Sequence, residues 1–282
     1  MAVEKEQSRL IFRKLERGLG KLSSKPKPEN VHQFRTYTRR VQTLLKELTP
    51  EHGRNEDKLL KLLAEVRKRA GKVRDLDVQI SALRSLKIPQ EPRRKTQLLE
   101  ALAESRAQRE EKLLRALDPK TVREIRRRLK KAAGRVQLDG NLDPLAVATR
   151  IMAQAARQNA PVSEDVLHQY RIVSKRARYA VEFAAKSSEA EQFMAQLKRV
   201  QDALGDWHDW LTLTETAKQR FGSVQESALV AALQNITGAK FRNAVAVVSE
   251  ARATIGAKKA PFFEPVTTRK RPVRSAEAAP AA

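Results

Sequence analysis

Apolar residues recur at every third or fourth position along almost the whole chain, while alternating β-branched stretches are scarce. That is the period of amphipathic helices, not of strands. Glycine and proline are sparse and fall between the periodic stretches, where they act as punctuation. The pattern predicts helices near 4–22, 29–48, 54–71, 72–86, 91–117 and 119–136, then near 144–159, 163–186, 188–205, 206–221 and 223–256. Pro119 and Pro144 suit first-turn positions, and Asp143 is placed to cap the helix that Pro144 opens. The expected fold is all-α, with long helices, short turns and antiparallel neighbours. From Ala257 the period stops, and KKAPFFEPVTTRKRPVRSAEAAPAA reads as a disordered basic tail over 257–282.

Two phrases occur twice. VHQFRTYTRR, which contains His32, aligns with LHQYRIVSKR, which contains His168, at an offset of 136 (168 − 32). LLAEVRKRAGKVRDL aligns with QLKRVQDALGDWHDW at an offset of 134 (205 − 71), so that Gly71 meets Gly205, Arg74 meets His208 and Asp75 meets Asp209. Two landmarks in the same order at nearly constant offset argue for an internal duplication. The offset is too long for a solenoid period. The expected architecture is two pseudo-symmetric antiparallel helical bundles flanking a basic central groove, spanning 4–256, with halves of about 4–140 and 141–256.

The repeated phrase carries a stripe. At 100° per residue, His32, Arg35, Arg39 and Lys46 fall within about 60° of one another, opposite Phe34, Tyr37, Val41, Leu44, Leu45 and Leu48. In the second copy His168, Arg171, Lys175 and Arg178 repeat the stripe and Glu182 continues it. Tyr170, Val173, Ala177 and Val181 lie on one flank there, and Ile172, Tyr179 and Phe183 on the other. Cations between two apolar flanks suit the lining of a groove better than an open face. Clustered like charges are costly to bury unless an anion compensates them. The alternative is pairing with Asp75, Asp77, Asp202, Asp206 and Asp209. Arginine suits anion binding because its planar fork donates two hydrogen bonds to one phosphate and stays charged. His32 and His168 are equally suited to ligand contact and to a structural hydrogen bond. His208, beside Asp209, reads first as a polar core residue, and His52 as incidental.

Charge sharpens this picture. Lys and Arg total 57 against 33 acidic residues, a formal net charge of +24, and such an excess calls for a polyanion. TVREIRRRLKKAAGR places Arg123, Arg127 and Lys130 on one helical face with Arg126 beside them, first of all a solvated surface. The chain has no cysteine, which rules out disulfides and Cys-bearing zinc sites. The charged N-terminus has no signal-peptide core and no apolar run approaches a membrane span, so a soluble, cytoplasmic protein is expected.

With these motifs in view, the sequence resembles the CHAD family, the conserved histidine α-helical domain. The matching stretches are VHQFRTYTRRVQTLL, LHQYRIVSKRARYAVEF, GKVRDLDV and LKRVQDALGDWHD, and the likeness covers roughly 4–256. His168, Arg171, Lys175, Arg178 and Tyr179 sit where the family pattern expects them, whereas Gln42 departs from a position that is commonly basic. The resemblance implies a groove that binds inorganic polyphosphate and association with polyphosphate granules; other granule proteins are expected partners, and no cofactor or metal is expected. The binding set it implies is His32, Arg35, Arg39, Arg40, Lys46, Lys72, Arg74, His168, Arg171, Lys175, Arg176, Arg178, Lys198 and His208. Many members are fused to a triphosphate-tunnel CYTH domain marked by an ExExK strand. VEKEQ does not match that mark, so a stand-alone CHAD protein is expected.

Two other functions are open to the residues. Nucleic-acid binding fits the net charge, but three tyrosines and two tryptophans, mostly at apolar helix positions, make no stacking platform. A metal-dependent phosphohydrolase would use RDLD and HD as carboxylate sources. Yet there is no GxxxxGK[ST], and only four histidines are present to serve as ligands. The expected reading is binding without catalysis, with Asp75 and Asp209 orienting basic side chains.

Overall fold

A computed structural model describes residues 2–49, 53–88, 91–136, 142–156 and 161–257. Within them the chain forms helices and no strand: α1 (Ala2–Ser24), α2 (Pro28–Glu47), α3 (Arg54–Ser85), α4 (Pro92–Ala116), α5 (Pro119–Arg135), α6 (Pro144–Ala156), α7 (Glu164–Val181), α8 (Ser188–Phe221) and α9 (Ala228–Ala257). The expected tail beyond 257, the end of the helix expected at 144–159, and His52 lie outside the described residues.

Helix starts follow local chemistry. Pro119 and Pro144 open α5 and α6. The Asp118 carboxylate accepts the Lys120 and Thr121 amides, and Asp143 accepts those of Leu145 and Ala146 at 2.9 and 3.2 Å. Ser163 and Ser187 cap α7 and α8 in the same way, satisfying first-turn donors that have no partner within the helix.

Two expected breaks do not occur. The spans 54–71 and 72–86 form one helix, α3, and 188–205 with 206–221 form another, α8. A glycine inside a helix costs only about 1 kcal/mol relative to alanine. It ends a helix when it takes the left-handed region, as Gly222 does at φ 80 after α8. Gly71 and Gly205 do not. The helix expected at 163–186 ends at Val181, and the last helix begins at Ala228, later than the expected 223.

Packing follows chain order, with α1 on α2, α2 on α3 and α3 on α4, then α6 on α7, α7 on α8 and α8 on α9; α5 folds back on α1 and α3. Further contacts join α2 to α7 and α3 to α8. One buried cluster draws on both halves, from Leu15, Phe34 and Leu63 to Tyr170, Leu204 and Trp207. A second joins the far ends of α3, α4, α8 and α9 through Leu83, Leu98, Leu213 and Leu229.

Candidate functional site

Four helices present the repeated stripes. His32, Arg35 and Arg39 lie on α2, and His168, Arg171 and Lys175 on α7. Helix α3 adds Arg67, Gly71, Arg74 and Asp75, and α8 adds His208 and Asp209. The α2·α7 and α3·α8 contacts bring these residues together. Arg35 feels the charges of Asp75, Arg39, Arg67 and Arg171. Lys175 feels Arg171, Arg39, Arg35 and Asp209, and Asp209 feels Arg171, Lys175, Asp75 and Arg74. The rings of His168 and His208 are 5.9 Å apart. Residues from both repeats thus share one charged cluster.

Arg35 packs against the backbone of α3. Its guanidinium crosses α3 at Gly71, where an added Cβ would collide with Nη1, and Nη1 donates to the Arg67 carbonyl at 3.4 Å. A side chain at position 71 would displace the end of the Arg35 side chain without touching other groups, so glycine here serves the placement of Arg35. At the matching Gly205 such a Cβ would meet nothing within 4 Å.

The titrating bases show an excess of positive charge. Burial, with Arg39, Arg67 and Arg171, pushes Arg35 down to about 10 against the pull of Asp75, so it remains charged at neutral pH. Burial, then Arg171, Arg39 and Arg35, brings the Lys175 ammonium down to about 7. Burial, then Arg171, His168 and Lys175, holds His208 at about 4 and therefore neutral. His32, at the exposed rim, is lowered by partial desolvation and then by Arg74, Arg35 and Lys175. Burial raises the Asp209 carboxyl even though Arg171 and Lys175 oppose it.

Local carboxylates do not balance these cations. Asp77 pairs with Arg106 at 2.8 Å, Asp202 with Lys198 at 2.5 Å and Asp206 with Lys240 at 2.8 Å. Of the five candidate aspartates, Asp75 and Asp209 act on the cluster, against Arg35, Arg39, Arg67, Arg74, Arg171 and Lys175. The Nε atoms of Arg67 and Arg171 are also buried without a hydrogen-bond partner. Each such donor costs about 1–3 kcal/mol.

Several candidates lie elsewhere. Arg40 forms a two-pronged pair with Glu182 at 2.5 and 3.0 Å and sits over the rings of Tyr37 and Tyr179. Arg176 pairs with Glu47 at 2.6 Å. Both join α2 to α7 as clamps. Arg178 donates to Gln201 at 3.0 Å and lies 3.8 Å from Glu182. Lys198 is tied to Asp202, Lys46 is exposed near the end of α2, and Lys72 is exposed on α3. On α7 the second apolar flank is incomplete: Phe183 is buried, but Ile172 is 45% exposed.

Arg67 is the functional candidate that motif reading missed. It precedes Gly71, Arg74 and Asp75 at helical spacing in VRKRAGKVRD, a signal readable from the stripe on α3. Its counterpart by the 134-residue offset is Gln201 (67 + 134), which donates to the Ser174 carbonyl at 2.8 Å. Of the aromatics, Trp207 and Tyr170 are buried in the core, and Tyr37 and Tyr179 lie beneath Arg40. An apolar hollow of about 150 Å³ between α6, α8 and α9, lined by Met152, Leu197 and Val247, is remote from the charged cluster and bordered by the Arg199–Glu250 pair. Among the described residues no three His, Asp or Glu side chains gather as metal ligands, and no helix is long and apolar enough to cross a membrane.

The CHAD domain model matches residues 9–218. A CHAD domain structure from the plant Ricinus communis is similar at 19% identity and a TM-score of 0.64, covering 90% of each chain. PptA from Streptomyces chartreusis is similar at 18% identity and a TM-score of 0.64, covering 90% of this chain and 98% of that one. No curated protein matches the chain in sequence. At these identities the two structures speak for the fold, and the family model, which takes in both repeated phrases, speaks for kinship. The chain belongs to the CHAD domain family.

Proposed function

We propose that this protein binds inorganic polyphosphate without catalysis, in a groove lined by Arg35, Arg39, Arg67, Arg74, Arg171 and Lys175, and that binding places it on polyphosphate granules. The observation that carries this reading is the under-neutralised cluster joining α2, α3, α7 and α8, with two buried arginine Nε donors left unmet. A polymer bearing about one charge per phosphate offers many acceptor oxygens to arginine forks. Each contact releases counterions, so affinity should fall steeply with salt, as it does for nucleic acids. A duplicated pair of bundles is the arrangement we infer behind the site. The contacts of α2 with α7 and of α3 with α8 support it, since each joins a helix to its counterpart.

Burial of Trp207 and Tyr170 favours polyphosphate over single-stranded nucleic acid, which would use exposed rings for stacking. The test is competition between polyphosphate and charge-matched DNA near physiological salt. Polyphosphate should displace the DNA; a clear preference for DNA would sink the reading. Metal-dependent release of phosphate by the purified protein, lost in Asp209→Ala, would overturn its non-catalytic part.

A further inference from the structure

The stripes of α2 and α7 match closely, whereas α3 and α8 diverge, at Arg67 and Gln201 and at Arg74 and His208 within the cluster and more widely outside it. Along α3, Arg54, Lys58, Lys61, Lys68 and Lys72 are all exposed. The 134-residue offset places Ser188, Gln192, Ala195, Asp202 and Asp206 at the matching positions of α8. One helix thus offers five cations where its counterpart offers two carboxylates and three uncharged residues. The acidic residues on the same stretch of α3 do little to cancel this. Glu56 is buried and accepts the Gly53 amide and the Asn55 side chain, Asp57 lies in the helix's first turn, and Glu65 pairs with Arg69 at 3.2 Å.

The cationic flank lies beside the face of α3 that carries Gly71, on the side away from Arg67 and Arg74. At 100° per residue, Lys68, Lys61, Lys72 and Arg54 lie about 60–100° around α3 from Gly71, the residue crossed by the Arg35 guanidinium, and Lys58 lies about 140° from it. From Lys72 to Arg54 the helix rises about 27 Å, well beyond the reach of the cluster itself. The residue types also differ. Inside, arginine forks suit fixed two-pronged contacts; outside, mobile, hydrated lysines suit loose contact with a solvated polymer.

We propose that the exposed flank of α3 is a track for the overhanging length of a bound polyphosphate chain, so that the polymer leaves the cluster over α3 and not over α8. This rests on the polyphosphate reading above and adds a polarity and a chain-length preference to it. Tripolyphosphate engages the cluster alone; a long chain engages both cluster and track.

The test is a variant carrying Lys58→Gln, Lys61→Gln and Lys68→Gln, titrated with tripolyphosphate and with long-chain polyphosphate over a range of salt. A control carrying Arg93→Gln, Arg109→Gln and Lys112→Gln makes the same change in net charge at exposed positions of α4. Long-chain affinity should fall on the order of tenfold in the track variant, with a salt slope shallower by about two, as expected for three lost phosphate contacts. Its tripolyphosphate affinity should hold, and the control should retain both affinities. The track is overturned if long-chain affinity is unchanged, if the control loses as much, or if tripolyphosphate affinity falls in step. Failure of the unmodified protein to bind long-chain polyphosphate would instead overturn the reading on which the track rests.

Discussion

Gly71 and Arg35 show how a small residue can serve a distant one. The guanidinium occupies the space a Cβ would take at position 71, while an interior alanine favours a helix by about 1 kcal/mol over glycine. In Gly71→Ala the melting temperature should therefore hold or rise while polyphosphate affinity falls several-fold. Gly205→Ala should stabilise without affecting binding, because its added methyl meets nothing. Paired melting and binding titrations check both, and unaltered binding in Gly71→Ala would contradict the placement of Arg35. Lys175 makes a second prediction. Its folded pKa, about 7, lies below the unfolded value because of burial and then Arg171, Arg39 and Arg35. The unfolded chain therefore binds more protons between about pH 7 and 10, and this residue makes stability rise with pH across that window. A bound anion restores the proton, so affinity should decline above pH 7 with proton uptake on binding, and Lys175→Met should flatten both trends. Binding heats compared in buffers of different ionisation enthalpy read the uptake. The stripe residues Arg35, Arg171 and Lys175 were legible because their spacing repeats within each helix. The Gly71 approach was not, because it exists only once α2 lies across α3.

Long-range contacts between elements left no mark in local sequence. Glycine at 71 and at 205 reads as a break, yet α3 and α8 run through because both residues stay helical. Arg40 and Arg176 look like ligand-binding cations within their own phrases. They become clamps only because Glu182 and Glu47 arrive from the opposite helix. Helix caps divide in the same way. Asp143 is legible beside Pro144, and so is Ser227, whose hydroxyl accepts the Val230 amide at 3.3 Å at the start of α9; the distant Glu91 is not legible, though its carboxylate accepts the Ser227 hydroxyl at 2.7 Å and the Leu229 amide at 2.9 Å. These bonds, the Leu229 amide foremost, hold the Glu91 carboxyl below the ordinary range. Its contribution is thus present above the unfolded pKa and is lost as pH falls through the folded one. Glu91→Ala should modestly lower the melting temperature at neutral pH, and the deficit should shrink in acid, where protonation removes the same acceptor from the natural protein. A deficit independent of pH would show that the cap does not act through its charge.

At the scale of the whole molecule, charge acts in two ways. The net charge of +24 draws any polyanion toward the surface, and this attraction is screened by salt. The cluster shared by the two repeats adds fixed, half-buried donors that only a slender polymer of phosphates is proposed to fill. All-α architecture and the two stripes could be read from period and repetition. The balance of charge at the site could not, since it depends on Asp77, Asp202 and Asp206 being paired elsewhere. One measurement separates general attraction from the site: polyphosphate titration of Arg35→Glu with Arg171→Glu, set against Arg126→Glu with Arg127→Glu, an equal change of net charge on α5. Two lost charge-assisted contacts of about 1.5–3 kcal/mol each should lower affinity on the order of a hundredfold or more in the first pair. Helicity and melting temperature should change little, because the new carboxylates enter a region of excess positive charge. The α5 pair should bind nearly as well as the natural protein; survival of binding in the first pair, with its loss in the second, would contradict the site.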